Sequence, residues 1–169
     1  MLAENLIDIS SHPLAFEQVR EKISLFGGLS DQQLDLLLPY LTCATYAKGD
    51  YIFKQGQLPS CVFILLKGVV NFKIRTEDDG ARRIRYVAGD CFGETSVIGI
   101  QPQLGSAFVE EDTELMVLSR SCLLDIVKYD QAMFGVLMMN IAREVSRRFH
   151  SCLLSAEDAT EYSIPRTFV

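Results

Sequence analysis

The chain has 169 residues, of which 49% are hydrophobic and 22% charged, with a formal net charge of −6. That is enough apolar material for one sizeable core and excludes a largely disordered chain. The acidic balance argues against direct nucleic-acid or membrane-surface binding, which needs a basic face, and no apolar run reaches the roughly 20 residues of a membrane span.

The first regime is helical. Pro13 to Phe26 places Phe16, Val19, Ile23 and Phe26 at spacings of three and four, one face of a helix that Gly27-Gly28 stops. Ser30 and Gln33 have the spacing of a capping box. They open a second helix with Leu34, Leu37, Leu38 and Leu41 on its apolar face.

The second regime is β. Short apolar or alternating runs recur about every ten residues with turn residues between them, the pattern of a sandwich or barrel. Thr42–Ala47 ends at Lys48-Gly49-Asp50, and Tyr51–Lys54 ends at Gln55-Gly56-Gln57. Cys61–Leu66 is continuously apolar and is expected to turn at Lys67-Gly68. Val70, Phe72 and Ile74 alternate with polar residues, which predicts a strand with one wet face. Glu77–Gly80 reads as a hairpin tip, and Arg82–Val87 returns to Ala88-Gly89-Asp90. Ser106–Glu110 and Glu114–Ser119 form a last pair around a turn at Glu111-Asp112-Thr113.

The third regime is helical again. Cys122–Val127 is a short helix. From Gln131 to about Ser155, the residues Phe134, Met138, Ile141, Val145, Phe149 and Cys152 form a narrow apolar stripe. Such a stripe suits a helix docked on a domain edge or paired in a dimer. The chain thus divides into an N-terminal helical arm over 1–24, a β-roll over 25–128, a C-terminal helix over 129–157 and a tail over 158–169.

Catalytic and metal chemistry find little support. The five cysteines, Cys43, Cys61, Cys91, Cys122 and Cys152, are scattered with no C-x-x-C pair, which reads as reduced thiols in a cytoplasmic protein. His12 and His150 are the only histidines, too few and too far apart for a metal site or a nucleophile–base pair. Met1–Ser11 lacks the basic stretch of a secretory signal. No enzyme activity and no metal are expected.

The most informative stretch is Phe92-Gly93-Glu94-Thr95-Ser96-Val97-Ile98, followed by Gly105-Ser106-Ala107-Phe108-Val109. A Gly-Glu pair opening a short helix, then a small-residue segment leading into a strand, is how backbone N–H groups cradle a phosphate. In order along the chain stand Leu29-Ser30 with Leu34–Leu37, then Ile52–Gly56 as "I-x-x-Q-G", Val62–Gly68 as "Y-x-I-x-x-G" and Ala88–Glu94 as "x-G-D-x-F-G-E". From about Leu25 to about Arg148 the chain resembles the cyclic-nucleotide-binding domain family, the sensory module of the catabolite activator protein and of kinase regulatory subunits. The resemblance implies a mainly β fold with flanking helices: an antiparallel jelly roll, or double-stranded β-helix, with N-terminal helices and a long C-terminal helix.

It also implies a ligand, cyclic AMP or cyclic GMP, held by Phe92, Gly93, Glu94, Thr95, Ser96, Ser106 and Ala107. Gly93 would let the backbone approach the ligand closely. Glu94 would accept the ribose 2′-hydroxyl, although an acid at a helix start also fits a simple dipole partner. The family's "P-R-x-A-x-V" carries an arginine for the phosphate, and here that place falls on Leu104 or Gly105. Loss of that contact would cost about 1.5–3 kcal/mol. Arg83 and Arg85, on one face of their strand beside Arg82, are substitute cations, though a solvated sheet face explains them without a ligand. Arg143, Arg147 and Arg148 read as favourable partners of a helix C-terminus.

These features predict a non-enzymatic sensor that dimerises through Phe134–Cys152 and signals to a protein partner through that helix. The chain ends within about twenty residues of the long helix, too few for a helix-turn-helix, so direct DNA binding is not expected. The alternative is a degenerate domain that binds no cyclic nucleotide and serves as a dimerisation or protein-interaction module.

Overall fold

The computed structural model describes residues 6–8, 16–17, 19–75 and 81–154. Seven strands among them form one antiparallel network. They are β1 (Leu6–Asp8), β2 (Thr42–Tyr46), β3 (Tyr51–Phe53), β4 (Cys61–Arg75), β5 (Ala81–Tyr86), β6 (Cys91–Phe92) and β7 (Ser106–Ser119). The order is β1-β2-β7-β4-β5, with β3 also on β7 and β6 also on β4. The helices are α1 (Asp31–Leu37), α2 (Glu94–Gly99), α3 (Arg120–Tyr129) and α4 (Gln131–Leu154). This is the expected mainly β, antiparallel fold with flanking helices and a long C-terminal helix. No helix among the described residues is long and apolar enough to cross a membrane.

Two expected turns are bends instead. Lys67-Gly68 and Glu111-Asp112-Thr113 lie inside the long strands β4 and β7, where the pairing shifts register between Leu65↔Leu115 and Val70↔Val109. A β-bulge kinks a strand with the same residue types that close a turn. The two bends face each other: a Cβ on Gly68 would lie 2.4 Å from Thr113 Oγ1 and 2.6 Å from the Asp112 carbonyl.

Bent in this way, the sheet has two cores. Phe53, Phe63, Leu65, Val70, Phe92 and Val109 fill its inner side. Val62, Ile64, Leu66, Met116 and Leu118 point the other way, into a second core shared with the helices. Burial on both faces explains why Cys61–Leu66 is apolar without alternation. The Gly-Asp turns close by one device. Asp50 and Asp90 each accept the backbone N–H three residues earlier, from Ala47 at 2.9 Å and from Val87 at 2.8 Å.

The N-terminal part departs from a helical arm. Leu6–Asp8 is a strand that covers the free edge of β2. Phe16, Glu17 and Val19 are helical, but two 3-10 turns, Arg20–Lys22 and Ser24–Phe26, replace the expected continuous helix to Phe26. The expected apolar face survives, since Phe16, Val19, Ile23 and Phe26 are all buried. Irregular backbone is stable there because α4 satisfies it. Asn140 Nδ2 donates to the Leu25 carbonyl at 2.9 Å and the Gly27 carbonyl at 2.7 Å. The Ser30–Gln33 capping box of α1 forms as expected. The start of the first expected helix, the Glu77–Gly80 tip and the tail lie outside the described residues.

The apolar stripe of α4 packs on its own subunit. Met133, Leu137 and Ile141 are buried in the helix-side core, with Phe134, Met138 and Val145 against it. Phe149 and Cys152, further along, are exposed. Asn140→Ala should cost about 2 kcal/mol by leaving carbonyls without a donor. Urea denaturation of the two proteins measures it, and an unchanged midpoint would show that water replaces the amide.

Candidate ligand-binding site

The stretch from Phe92 to Ser96 is built on a stack of rings. Phe92 is 1% exposed, with its ring centroid 5.3 Å from Phe63 and 4.9 Å from Tyr86, both in stacked geometry. Gly93 follows with φ of 85° as the N-cap of α2. A Cβ there would lie 3.1 Å from the Cys61 carbonyl and 3.2 Å from the Phe63 ring. The close approach that requires glycine is therefore to β4, and it sets where Glu94 begins.

Glu94 has no exposed surface at all. Its Oε1 accepts from Arg148 Nη1 of α4 at 2.5 Å. Arg148 Nη2 donates to the Cys91 carbonyl and lies 3.2 Å from Glu144 Oε1. The guanidinium also sits 5.2 Å from the centre of the Tyr86 ring, a cation–π contact. One side chain thus joins the last helix to β6, to the start of α2 and to β5. Glu94 Oε2 is buried and has no hydrogen-bond partner among the described residues.

Burial pushes the Glu94 carboxyl up from the ordinary carboxylate range, and the Arg148 charge pulls it back. Burial also works against the Arg148 charge, but the acids around it, Glu94 first, outweigh that and hold its pKa up. Arginine keeps its proton in proteins, so the Glu94 carboxyl lies beside a permanent positive charge. Burial, followed by the nearby Glu94 charge, pushes the Cys91 thiol up to about 12, so it is inert at neutral pH.

A cavity of about 330 Å³ lies between this stretch, the sheet and α4. Phe72, Ile74, Ile84 and Tyr86 form the sheet wall; Val145, Arg148, Phe149 and Cys152 form the helix wall. Gln103 and Leu104 close a third side. Glu94 and Arg148 are the only charged side chains among the described residues that line it. A larger groove of about 470 Å³ runs along Tyr51–Ser60, but its one charged side chain is the exposed Lys54.

Of the residues expected at the site, Phe92, Gly93, Glu94, Thr95 and Ser96 line this cavity together. Ser106 and Ala107 do not. Alternation along β7 turns Ser106 toward a separate cleft with Lys54 and Lys73, where its Oγ accepts the Gln55 N–H at 3.0 Å. Ala107 is fully buried in the inner core. Arg83 and Arg85 are exposed outside the cavity, while Ile84 and Tyr86 of the same strand point into it. Arg85 lies 3.9 Å from Glu110.

Of the two residues on which the arginine place of the cassette falls, Gly105 is closed to a side chain and Leu104 is not. Gly105 is buried, and a Cβ there would lie 2.5 Å from the Lys73 carbonyl and 2.8 Å from the tip of Phe72. Leu104, its neighbour, is 66% exposed on the cavity rim. Arg148 escaped the sequence reading, which placed it with Arg143 and Arg147 at a helix end. The signal was its spacing: three residues after Val145 and four before Cys152, it belongs to the apolar stripe.

The cyclic nucleotide-binding domain profile matches residues 44–130, just over half of the chain. The cyclic AMP receptor protein of Thermus thermophilus is 32% identical over 142 residues, which are 80% of this chain and 63% of that one. The human cGMP-dependent protein kinase 2 is 33% identical over 101 residues, 58% of this chain and 13% of the kinase. The chain therefore spans less than two thirds of the length of these relatives. A cyclic nucleotide-binding domain from Methylobacillus flagellatus superposes with a TM-score of 0.82 at 20% identity, covering 96% of this chain and 92% of the other. With the fold and the profile in agreement, the chain belongs to the cyclic nucleotide-binding domain family.

Proposed function

We propose that this chain is a non-enzymatic regulatory sensor whose ligand state at the Phe92–Ser96 cassette is passed to α4. The observation that carries the reading is the Glu94–Arg148 ion pair, which ties the cassette acid to the last helix. A ligand in the cavity meets the pair from its Arg148 side, since the Glu94 side chain is fully buried behind it. It also touches Val145 and Phe149, which belong to the same helix wall. Binding and helix docking then share contacts, which is what a ligand needs in order to shift a two-state equilibrium. The N-terminal half of α4 is fixed in the core through Met133, Leu137 and Ile141. Its C-terminal half is held by Arg148, by the Ser24 hydroxyl donating to Glu144 at 3.2 Å and by Val145 against the core, and it is the half that a ligand in the cavity reaches.

The second reading is an interaction module that binds no cyclic nucleotide and pairs through α4. The closed Gly105 position favours it. Since most of the stripe is used within the subunit, such a dimer would use exposed α4 residues such as Met139, which is 54% exposed. Sedimentation would then show a dimer that Met139→Glu converts to a monomer; a monomer at all concentrations removes this reading.

The sensor reading is tested by Glu94→Gln. Hydrogen exchange should speed up over Val145–Ser151 while Met133–Ile141 stays protected. A uniform change along α4, or none, would sever the cassette from the helix. Arg148→Ala should destabilise the fold by about 3 kcal/mol, because it strands a buried carboxylate. The pH dependence follows from the raised Glu94 pKa. A carboxyl raised in the folded state contributes stability below its unfolded pKa and loses it as pH rises. Without Arg148 the rise is larger, so the variant should lose more stability than the parent as pH rises above the ordinary carboxylate range. Parallel denaturant titrations measure this; equal slopes would mean that Glu94 is not buried in solution.

A further inference from the structure

We propose that the outer face of the sheet formed by β3, β7, β4 and β5 docks an acidic, aromatic-bearing segment of a partner protein. The face stands apart from the cavity, which Phe72, Ile74, Ile84 and Tyr86 line from the other side of β4 and β5.

Strand register puts the cations in a row. Lys73 of β4 lies directly opposite Arg83 of β5 on one side and Ser106 of β7 on the other. Lys54, just past β3, joins Lys73 and Ser106 in one cleft of about 340 Å³. Arg85, two residues from Arg83, is exposed on the same face. Neighbouring strands are about 4.8 Å apart, so the row from Ser106 to Arg83 is about 10 Å long.

Like charges directly opposite each other weaken a sheet. A merely solvated face would relieve that with a carboxylate on one of the two strands. Here Lys73 meets Arg83 instead. Among the described residues, Arg85 alone of the four cations has an acidic partner, Glu110 at 3.9 Å, and that carboxylate also accepts from Asn71. The chain has 22 acidic residues against 16 basic ones, so composition by itself does not produce a basic face.

Two rings lie beside the cations. Tyr51 is 53% exposed, and Phe108, opposite it across β3 and β7, is half-buried, with the ring centroids 6.2 Å apart. Lys54 Nζ sits 5.1 Å from the centre of the Tyr51 ring. Guanidinium groups hold carboxylates with two parallel hydrogen bonds, and an exposed ring stacks on another. The face therefore fits carboxylates and an aromatic side chain together. A nucleic acid fits less well. Glu110, Glu111 and Asp112 are exposed further along β7 and would repel a long polyanion, whereas a short acidic segment ends before them.

Fluorescence polarisation of a dye-labelled peptide of glutamates interrupted by tyrosines, titrated with the full chain, tests the proposal. The expected dissociation constant is about 100 μM or tighter at about 50 mM salt. Alanine in place of tyrosine in the peptide should weaken binding to the parent about fivefold, and Tyr51→Ala should remove that difference. Arg83→Glu should weaken the peptide about tenfold and yet raise the urea midpoint of the free chain, because Lys73 then faces an opposite charge. Lys54→Glu, outside the paired strands, should repeat the loss of binding. Lys128→Glu makes the same change of charge at an exposed position of α3 and should leave the affinity within about twofold. An equal loss from Lys128→Glu would overturn the proposal. So would an unchanged polarisation at about 1 mM chain, or an oligothymidylate bound more tightly than the peptide.

Discussion

A carboxylate with no exposed surface sets the terms for everything around it. Removing an ion from water costs several kcal/mol even after relaxation. Glu94 offsets that with one guanidinium, and the guanidinium comes from the far end of the chain. Arg148 can reach it only if α4 runs along the wall of the cavity. The Cys91 carbonyl, Glu144 and the Tyr86 ring then fix the angle at which it enters. The position of the last helix is therefore a condition for burying the cassette acid, and the cavity is the space left between the two.

The β framework makes that arrangement exact enough to matter. Phe92 is held between Phe63 and Tyr86, so the residue before the cassette glycine cannot rotate away from the inner core. The Asp90 carboxylate closes the preceding turn, and Gly93 lies against β4. From Asp90 to Glu94 each residue is fixed by a different interaction, namely a turn hydrogen bond, a strand pairing, a ring stack, a close backbone approach and an ion pair. A catalytic role is not needed to explain any of them. The same framework turns Ser106 and Ala107 away from the cavity, although they follow it closely in the chain.

Local patterns carried most of the fold. The alternation of Val70, Phe72 and Ile74, the Gly-Asp turns and the Ser30–Gln33 box each reflect an interaction within a few residues, and each is visible in a window of that length. Gly68 and Thr113 misled because a bulge and a turn use the same residues, and only the partner strand decides between them. The region before Gly27 lost its expected helix to Asn140, a residue more than a hundred positions away. The site divides in the same manner. Phe92–Ser96 form one contiguous segment and could be read directly. Arg148 acts at a distance of 54 residues, and a side chain on an apolar stripe shows its spacing but not its target.

The contact between Gly105 and the Lys73 carbonyl also bears on how such a site changes over time. In a family whose cassette carries an arginine at this place, a change to glycine is a single substitution. Here β4 lies close enough that a side chain no longer fits. A side chain at Gly105 requires β4 near Lys73 and Phe72 to move first, so at least two changes must occur in order there. The two neighbouring positions therefore differ in kind: Gly105 admits a side chain only after β4 has moved, whereas Leu104, exposed on the cavity rim, can be exchanged in a single step.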